Sequence, residues 1–183
     1  MKYTFVKQHD STDCGAACMA MVCQYYKKET SITSLRDAMG TDVKGTNLMG
    51  MAKCAENLGF TCQAVRVDRE GFTSKYTLPA IASTVTKEGL THFVVIFKVK
   101  GERVVIGDPA RDLRRITIDS FYKRFTGVLL LLIPNEKFNA EKIKTKGMFE
   151  RYLNLLLPQK KIICFCVDGI IPNNVVWDSF LSV

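Results

Sequence analysis

A cysteine at the start of an apolar helix constrains this sequence more than any other feature. Cys14 follows three residues that can cap a helix, which are Ser11, Thr12 and Asp13. A nearly unbroken apolar run continues from Cys14 to Tyr26. Since a capping residue before an apolar run is typical of a helix start, we predict a first helix over residues 13–28. It is apolar on nearly every side, so we expect it at the centre of the molecule.

The place of Cys14 in this helix suits a nucleophile. The free amides and the positive end of the helix dipole favour a thiolate over a neutral thiol. Gly15 has no side chain that would keep a substrate from the sulfur, whereas the charge of Asp13 works against the thiolate. A histidine partner is therefore needed, and the chain has only two, His9 and His92. His9 is too close in sequence to Cys14 to point back easily, so we expect it to be exposed.

The hydrophobic period changes at Gly59. Before it, the pattern predicts three helices, over residues 13–28, 31–39 and 48–58. After it, alternation predicts strands over residues 60–67, 78–86, 92–99, 103–107, 115–118 and 127–133, with a helical turn over residues 120–125. The predicted fold class is α+β, with an N-terminal helical half packed on a C-terminal antiparallel β-sheet half. Clefts form naturally between two such halves.

Composition and charge indicate a globular domain and argue against a nucleic-acid partner. With 183 residues, 47% of them apolar and 24% charged, the chain is long enough for one globular domain. The net charge of +8 comes from scattered residues without a nucleic-acid motif, so we expect no nucleic-acid partner.

Cysteine usage points to a reducing compartment. Residues 1–10 lack the apolar core of a signal peptide, so the seven cysteines are expected as reduced thiols in the cytoplasm. Cys14 and Cys18 lie one turn apart, but no second pair has the spacing of zinc ligands. We therefore expect no disulfide framework and no metal.

A catalytic cysteine needs a base, and the base needs a group to orient it. His92 begins one predicted strand and Asp108 follows the end of the next. A three-residue hairpin loop over residues 99–101 would pair position 98 with 102 and position 92 with 108, on one face of the sheet. A two-residue loop would shift the pairing by one and put the two side chains on opposite faces. The predicted contact thus depends on the loop.

These residues predict acyl-transfer chemistry without a cofactor. Cys14 attacks a carbonyl carbon, His92 takes the thiol proton and later protonates the leaving amine, and Asp108 orients the imidazole. Gln8 and the backbone amide of Cys14 stabilise the oxyanion, and water hydrolyses the thioester.

Each of these residues also has an ordinary structural explanation. Cys14 can be a small buried residue, His92 a strand-edge residue, Asp108 a turn residue and Gln8 a surface residue. The remaining cysteines of this part lie on apolar faces and are interpreted as core: Cys18, Cys23, Cys54 and Cys62.

Three motifs stand at a characteristic spacing: Gln8-x5-Cys14-Gly15-x-Ala17, His92-Phe93-Val94-Val95-Ile96 and Asp108-Pro109. Together they resemble the C39 peptidase domain of bacteriocin-processing ABC transporters. Further similar positions lie between them, at Ser34-Leu35-Arg36, Gly45-Thr46, Leu58-Gly59-Phe60 and Leu78-Pro79-Ala80. The resemblance covers about residues 2–135.

The resemblance implies a papain-like fold with a triad of Cys14, His92 and Asp108, and with Gln8 at the oxyanion hole. It implies a cysteine endopeptidase that cuts after a Gly-Gly or Gly-Ala pair in the leader of a ribosomally made peptide, coupled to export. The implied partners are that precursor peptide and the membrane and nucleotide-binding parts of a transporter. ATP would belong to those parts, and the peptidase would work at the cytoplasmic face of the bacterial membrane.

Three regions are expected along the chain. They are a peptidase domain over residues 1–135, a basic linker with an amphipathic helix over residues 136–161, and a short apolar tail over residues 162–183. One interpretation of the tail is a truncated or diverged start of a transmembrane region, although it is too short to span a bilayer as it stands.

Two other functions stay open. One is a domain that only recruits leader peptides to an exporter, without cleavage. The other is a different cysteine acyl-transfer enzyme, such as an amidase or a transglutaminase-like protein, because the order Cys, His, Asp is shared among such folds.

Overall fold

The strands that follow Gly59 form one antiparallel sheet of six strands. We describe a computed structural model, in which residues 3–43 and 45–140 are described. The strands are β1 (Phe60–Arg66), β2 (Ala80–Val85), β3 (Thr91–Lys100), β4 (Arg103–Gly107), β5 (Leu113–Thr117) and β6 (Phe125–Pro134). Their order across the sheet is β1-β6-β2-β3-β4-β5, so the last strand returns to lie between the first and the second. All six predicted strands are therefore present.

Three helices come before the sheet, as predicted: α1 (Cys14–Tyr25), α2 (Ile32–Met39) and α3 (Leu48–Asn57). The Ser31 hydroxyl caps α2 by accepting a hydrogen bond from the Ser34 amide at 3.1 Å. Helix α1 ends three residues earlier than predicted, because the chain reverses at Lys27, whose φ of 64° lies in the left-handed region.

One core lies between these helices and one face of the sheet. The ten residues from Cys14 to Cys23 are all buried, so α1 is the central helix that its composition predicts. From the sheet, β3 contributes Phe93, Val95 and Phe97 to this core. Gly107 lets the helix come close, since a Cβ atom there would lie 2.9 Å from the Met21 sulfur.

The opposite face of the sheet is also covered, which the prediction of two segregated halves did not include. Two short helices lie there, α4 (Arg69–Thr73) and α5 (Ile118–Tyr122). Phe72 and Phe121 stack with ring centroids 5.2 Å apart and pack over the second core with Val94 and Ile106. Helix α4 was not predicted, because its five residues are too few for a helical period and only the capping Asp68 marks its start.

Several predictions fall outside the described residues. They are the greater part of the predicted linker, the amphipathic helix over residues 149–157 and the apolar tail over residues 162–183. Among residues 3–43 and 45–140, no helix has the length and apolar character needed to cross a bilayer.

Candidate active site

Cys14 is the first residue of α1, where the sequence predicts it. It is 5% exposed, whereas Cys18, one turn further along the helix, is 0% exposed. Burial and the charges of Cys14 and Asp108 raise the pKa of the Cys18 thiol well above its usual value. Burial also raises the pKa of Cys23 to about 12. These two thiols stay neutral at physiological pH, which leaves Cys14 as the cysteine of this helix suited to nucleophilic attack.

The residue before Cys14 does not cap the helix in the way its type predicts. Asp13 occupies the N-cap position, yet its side chain makes no capping hydrogen bond. Instead, its carboxylate accepts a hydrogen bond from the Asp10 amide at 3.1 Å and forms an ion pair with Arg36 of α2 at 3.2 Å. Asp13 is 1% exposed, so a buried carboxylate stands directly before Cys14 in the chain with a cation opposite it.

Gly15 has a different role from the one predicted. It is buried rather than open to a substrate, and a Cβ atom at this position would lie 2.9 Å from the Thr46 Cβ. Thr46 is itself held by a hydrogen bond of 2.6 Å between its hydroxyl and that of Thr41. The missing side chain therefore lets the loop before α3 close onto the start of α1, next to Cys14.

His92 and Asp108 are brought together as predicted, but not by the predicted register. The Nε2 atom of His92 lies 2.8 Å from Oδ1 of Asp108. The hairpin turn has two residues, since Lys100 pairs with Arg103, and this pairing alone would put the two side chains on opposite faces. A bulge between Ile96 and Lys98 then shifts the register by one, so that Val95 pairs with Gly107. The bulge restores His92 and Asp108 to one face, which the sequence pattern does not indicate.

The surroundings of His92 favour its charged form. Burial lowers the pKa of the imidazole, but hydrogen bonds with Asp108 and with Cys14, together with the charges of both groups, raise the pKa to about 9. Since Nε2 bonds to Asp108, Nδ1 is the ring nitrogen left for the cysteine. At neutral pH the ring therefore favours its charged form beside the Asp108 carboxylate.

Asp108 is held on several sides. Its Oδ1 also accepts a hydrogen bond from the Ala110 amide at 3.1 Å, and Oδ2 lies 3.8 Å from Nε of Arg111. Burial opposes ionisation of this carboxyl, but the hydrogen bond with His92 and the charge of that ring lower its pKa. The hydrogen bond from the Ala110 amide and the charge of Arg111 lower it further. Asp108 is thus a fixed carboxylate, as an orienting residue must be.

Gln8 lies beside the loop that carries Asp108. Its backbone amide donates a hydrogen bond of 3.0 Å to the Pro109 carbonyl, which ties the N-terminal segment to the end of β4. The Oε1 atom of Gln8 is buried and has no hydrogen-bond partner among residues 3–43 and 45–140. This oxygen is an acceptor, so it is free to accept a hydrogen bond from a ligand N–H, whereas the predicted oxyanion role depends on the N–H groups of the same amide.

The other residues singled out in the sequence behave mostly as expected. His9 is exposed, and Cys23 and Cys54 are buried in the core. Cys62 is an exception: it is only partly buried, and its thiol donates to the Ala52 carbonyl at 3.4 Å.

A cavity of about 500 Å³ adjoins the His92–Asp108 pair. Its floor is formed by Val94, Ile106 and Phe121, and its rim carries more cations than anions. The cations are Lys87, Arg111, Arg114, Lys123 and Arg124, and Glu88 also lines it. Such a rim favours an anionic ligand over a cationic one.

Two residues that shape this site, Arg36 and Thr46, were not predicted from the sequence. Both belong to segments that resemble the family, but neither carries a local signal of its role. Arg36 is one charged residue among many on the surface of a helix, and Thr46 is a polar residue in a loop. Their contacts with Asp13 and Gly15 join segments that are about 20 to 30 residues apart in the chain.

Residues 2–137 match the model of the peptidase C39 family. The chain belongs to that family. The resemblance stated from the motifs and the prediction of a cysteine peptidase are therefore confirmed. The assignment of Cys14, His92 and Asp108 to the reaction rests on the geometry of the site.

Similar proteins include large transporters. The chain is 36% identical over 169 residues to the lactococcin-G-processing and transport ATP-binding protein LagD of Lactococcus lactis subsp. lactis. The aligned residues make up 92% of this chain and 24% of LagD. It is 30% identical over 168 residues to the colicin V secretion/processing ATP-binding protein CvaB of Escherichia coli. This alignment covers 91% of this chain and 23% of CvaB. The chain thus spans about a quarter of the length of the relatives it matches.

Solved structures confirm the fold class. The peptidase domain of Streptococcus ComA, a bifunctional ABC transporter involved in quorum sensing, superposes with a TM-score of 0.70 at 29% identity, covering 73% of this chain and 100% of that domain. A second structure is that of a double glycine motif protease from an AMS/PCAT transporter in complex with the leader peptide. It superposes with a TM-score of 0.68 at 32% identity and covers 73% of this chain and 93% of that protease. The α+β, papain-like peptidase fold is thereby shown.

Proposed function

We propose that this chain is a cysteine endopeptidase that removes the leader of a ribosomally made, bacteriocin-like peptide by cutting after a Gly-Gly pair. The observation that carries the proposal is the placement of His92, which bonds to Asp108 at 2.8 Å and interacts with the Cys14 thiol at the start of α1. A thiol, an imidazole and a carboxylate in this order are the parts needed for nucleophilic attack on an amide.

The reaction begins when the imidazole of His92, whose pKa is raised to about 9, takes the proton of the Cys14 thiol. The thiolate forms a bond to the scissile carbonyl carbon, and the electron pair of the carbonyl moves to its oxygen. The Cys14 backbone amide, at the N-terminus of α1, and the Gln8 side-chain amide donate hydrogen bonds to this oxyanion.

Proton transfer from His92 then completes the first half. The oxyanion collapses, the carbon–nitrogen bond breaks, and Nδ1 of His92 gives its proton to the leaving amine of the cargo peptide. In the second half, neutral His92 takes a proton from water, and the resulting hydroxide attacks the thioester. The leader leaves with a free carboxyl group, and the Cys14–His92 pair is restored.

The narrow access to Cys14 supports small residues at the cleavage point. Cys14 is 5% exposed and Thr46 closes over the adjacent Gly15, so a backbone without side chains fits best next to the sulfur. Gly-Gly is the smallest such pair. Two relatives bear on this choice: LagD is named for processing lactococcin G, and the AMS/PCAT enzyme is a double glycine motif protease.

The remaining parts of the proposal concern partners and place. The chain supplies nucleophile, base and orienting carboxylate itself, so the cleavage needs no cofactor, and ATP acts only through transporter parts. We infer that the peptidase domain spans residues 1–135, works with the membrane and nucleotide-binding parts of an ABC transporter, and faces the cytoplasm. The relatives are transport proteins with an ATP-binding function, which supports this assignment.

Incubation with a synthetic leader that ends in Gly-Gly and continues into a few cargo residues tests the function. Mass spectrometry is expected to find cleavage after the second glycine by the intact chain and none by Cys14→Ala. A matched peptide with Gly-Gly replaced by Val-Val is expected to stay intact. Binding without turnover would overturn the proposal in favour of a leader-recruiting domain. Equal cleavage of both peptides would instead favour another acyl-transfer enzyme.

A further inference from the structure

We propose that Arg36 is a positioning residue for the nucleophile: it neutralises the buried Asp13 carboxylate and so keeps the start of α1 favourable to the Cys14 thiolate. Arg36 lies on α2, 22 positions along the chain from Cys14. The inference rests on Cys14 as the proposed nucleophile, but it does not require that any peptide be cleaved.

The charge of Asp13 works against the nucleophile. Asp13 directly precedes Cys14 and its side chain is 1% exposed. A negative charge on the preceding residue, with little water to screen it, opposes the formation of a second negative charge on the sulfur. It also cancels part of the helix dipole that favours the thiolate. An uncompensated Asp13 would therefore work against the nucleophile.

Arg36 compensates the negative charge of Asp13. Its Nη1 lies 3.2 Å from Oδ1 of Asp13 and 3.5 Å from Oδ2 of Asp10. The two acids are not equivalent, because the Asp10 side chain is 70% exposed. Solvent already screens Asp10, so the effect of Arg36 falls mainly on Asp13.

The Asp13 carboxylate also has a structural function. Its Oδ2 accepts a hydrogen bond from the Asp10 amide, and its own amide donates to the Asp10 carbonyl at 3.1 Å. These bonds close the turn over residues 10–13 that leads into Cys14. The carboxylate thus shapes the entry to the helix, and Arg36 removes the electrostatic penalty of using a charged group for that purpose.

Other ionisable groups around the sulfur stay the same in the variants below. Those that interact with Cys14 are Cys18 on the same helix and His92 of β3, which in turn bonds to Asp108 after β4. A change in the pH dependence of Cys14 after substitution of Arg36 would therefore report on the Asp13 charge.

The test is the pH dependence of alkylation of Cys14 by iodoacetamide in the full chain, with modification at Cys14 quantified by tandem mass spectrometry. For Arg36→Gln we expect the midpoint of the rate profile to rise by about 1 to 2 pH units. The double variant Asp13→Asn/Arg36→Gln is expected to return close to the wild-type midpoint. An unshifted midpoint in Arg36→Gln, or a double variant that stays shifted, would overturn the proposal.

Two controls separate this effect from general loss of ion pairs. Asp10→Asn removes only the exposed partner of Arg36, and Arg69→Gln breaks the exposed ion pair with Asp119 between α4 and α5. Both are expected to keep the wild-type midpoint, and a shift as large as that of Arg36→Gln in either would contradict the proposal. If Arg36→Gln alone does not fold, Asp13→Asn is compared with the double variant. Equal midpoints are then expected for these two variants, and a higher midpoint in the double variant would contradict the proposal.

Discussion

Nε2 of His92 lies 2.8 Å from Oδ1 of Asp108, although the two residues do not face each other in the sheet. One further step along the β3–β4 ladder from the Val95–Gly107 pair brings Asp108 opposite Val94. The carboxylate therefore reaches the imidazole along a diagonal, which long side chains on one face can span. This contact depends on the bulge after Ile96 and is the basis for the first two predictions.

Loss of the His92 ring is expected to abolish measurable turnover, and loss of the Asp108 charge only to reduce it. His92→Ala removes both proton transfers, which together contribute about 10²- to 10⁴-fold or more. Asp108→Asn keeps a side chain that can orient the ring. The measurement is kcat/KM on the Gly-Gly peptide. His9→Ala, which removes the exposed histidine, serves as the control with unchanged activity, and equal activity of His92→Ala and wild type would remove the general-base assignment.

The titration of His92 gives a second prediction. Asp108→Asn is expected to lower the pKa of His92 from about 9, because it removes a charge and a charge-assisted hydrogen bond that raise it. An NMR titration of the imidazole carbon-bound proton measures this directly. Retention of the high pKa in Asp108→Asn would show that Cys14 alone maintains it.

The same raised pKa predicts how stability depends on pH. A histidine whose pKa is about 9 when folded and about 6.5 when unfolded binds more protons in the folded state between these values. Its stabilising contribution is therefore complete below about pH 6.5 and is lost as the pH rises through about 9. We expect the free energy of unfolding to fall over this range in the wild type, and to fall less in His92→Gln. Denaturant titrations at a series of pH values compare the two, and parallel curves would contradict the prediction.

Gly15 is expected to tolerate no side chain. In Gly15→Ala the new Cβ would lie 2.9 Å from the Thr46 Cβ, which is too close to the backbone to swing away, so the loop itself must shift. Overpacking of this kind costs about 1 to 3 kcal/mol of unfolding free energy. The double variant Gly15→Ala/Thr46→Gly is expected to be less destabilised than the sum of the single variants, as measured by urea unfolding. Additive losses would mean that the two residues do not press on each other.

Gln8→Ala is expected to lower kcat by about 10²- to 10³-fold with little change in KM, because an oxyanion donor acts only in the transition state. Steady-state kinetics on the Gly-Gly peptide measures both constants. Gln63→Ala, on an exposed position of β1, is the matched control and should leave both unchanged. An equal rise in KM with unchanged kcat would assign Gln8 to substrate binding instead.

Much of this architecture can be predicted from local sequence. The cap at Ser31, the apolar run of α1 and the change of period at Gly59 each depend on residues that are near one another in the chain. The predicted elements therefore agree with the structure to within a few residues, apart from α4. The candidate residues Cys14, His92 and Asp108 could be chosen for the same reason, since a thiol at a helix start and polar residues at strand ends are local patterns.

Contacts between distant segments could not be predicted in this way. The bulge after Ile96 has no residue signature in β3, yet it decides whether His92 and Asp108 share a face. The pairing of Asp13 with Arg36 and of Gly15 with Thr46 depends on how α1, α2 and the loop before α3 pack. Hydrophobic period and capping chemistry operate over a few residues, so they specify which elements form and which side chains carry reactive groups. The distances between those groups arise from packing and strand register, which are properties of the assembled chain.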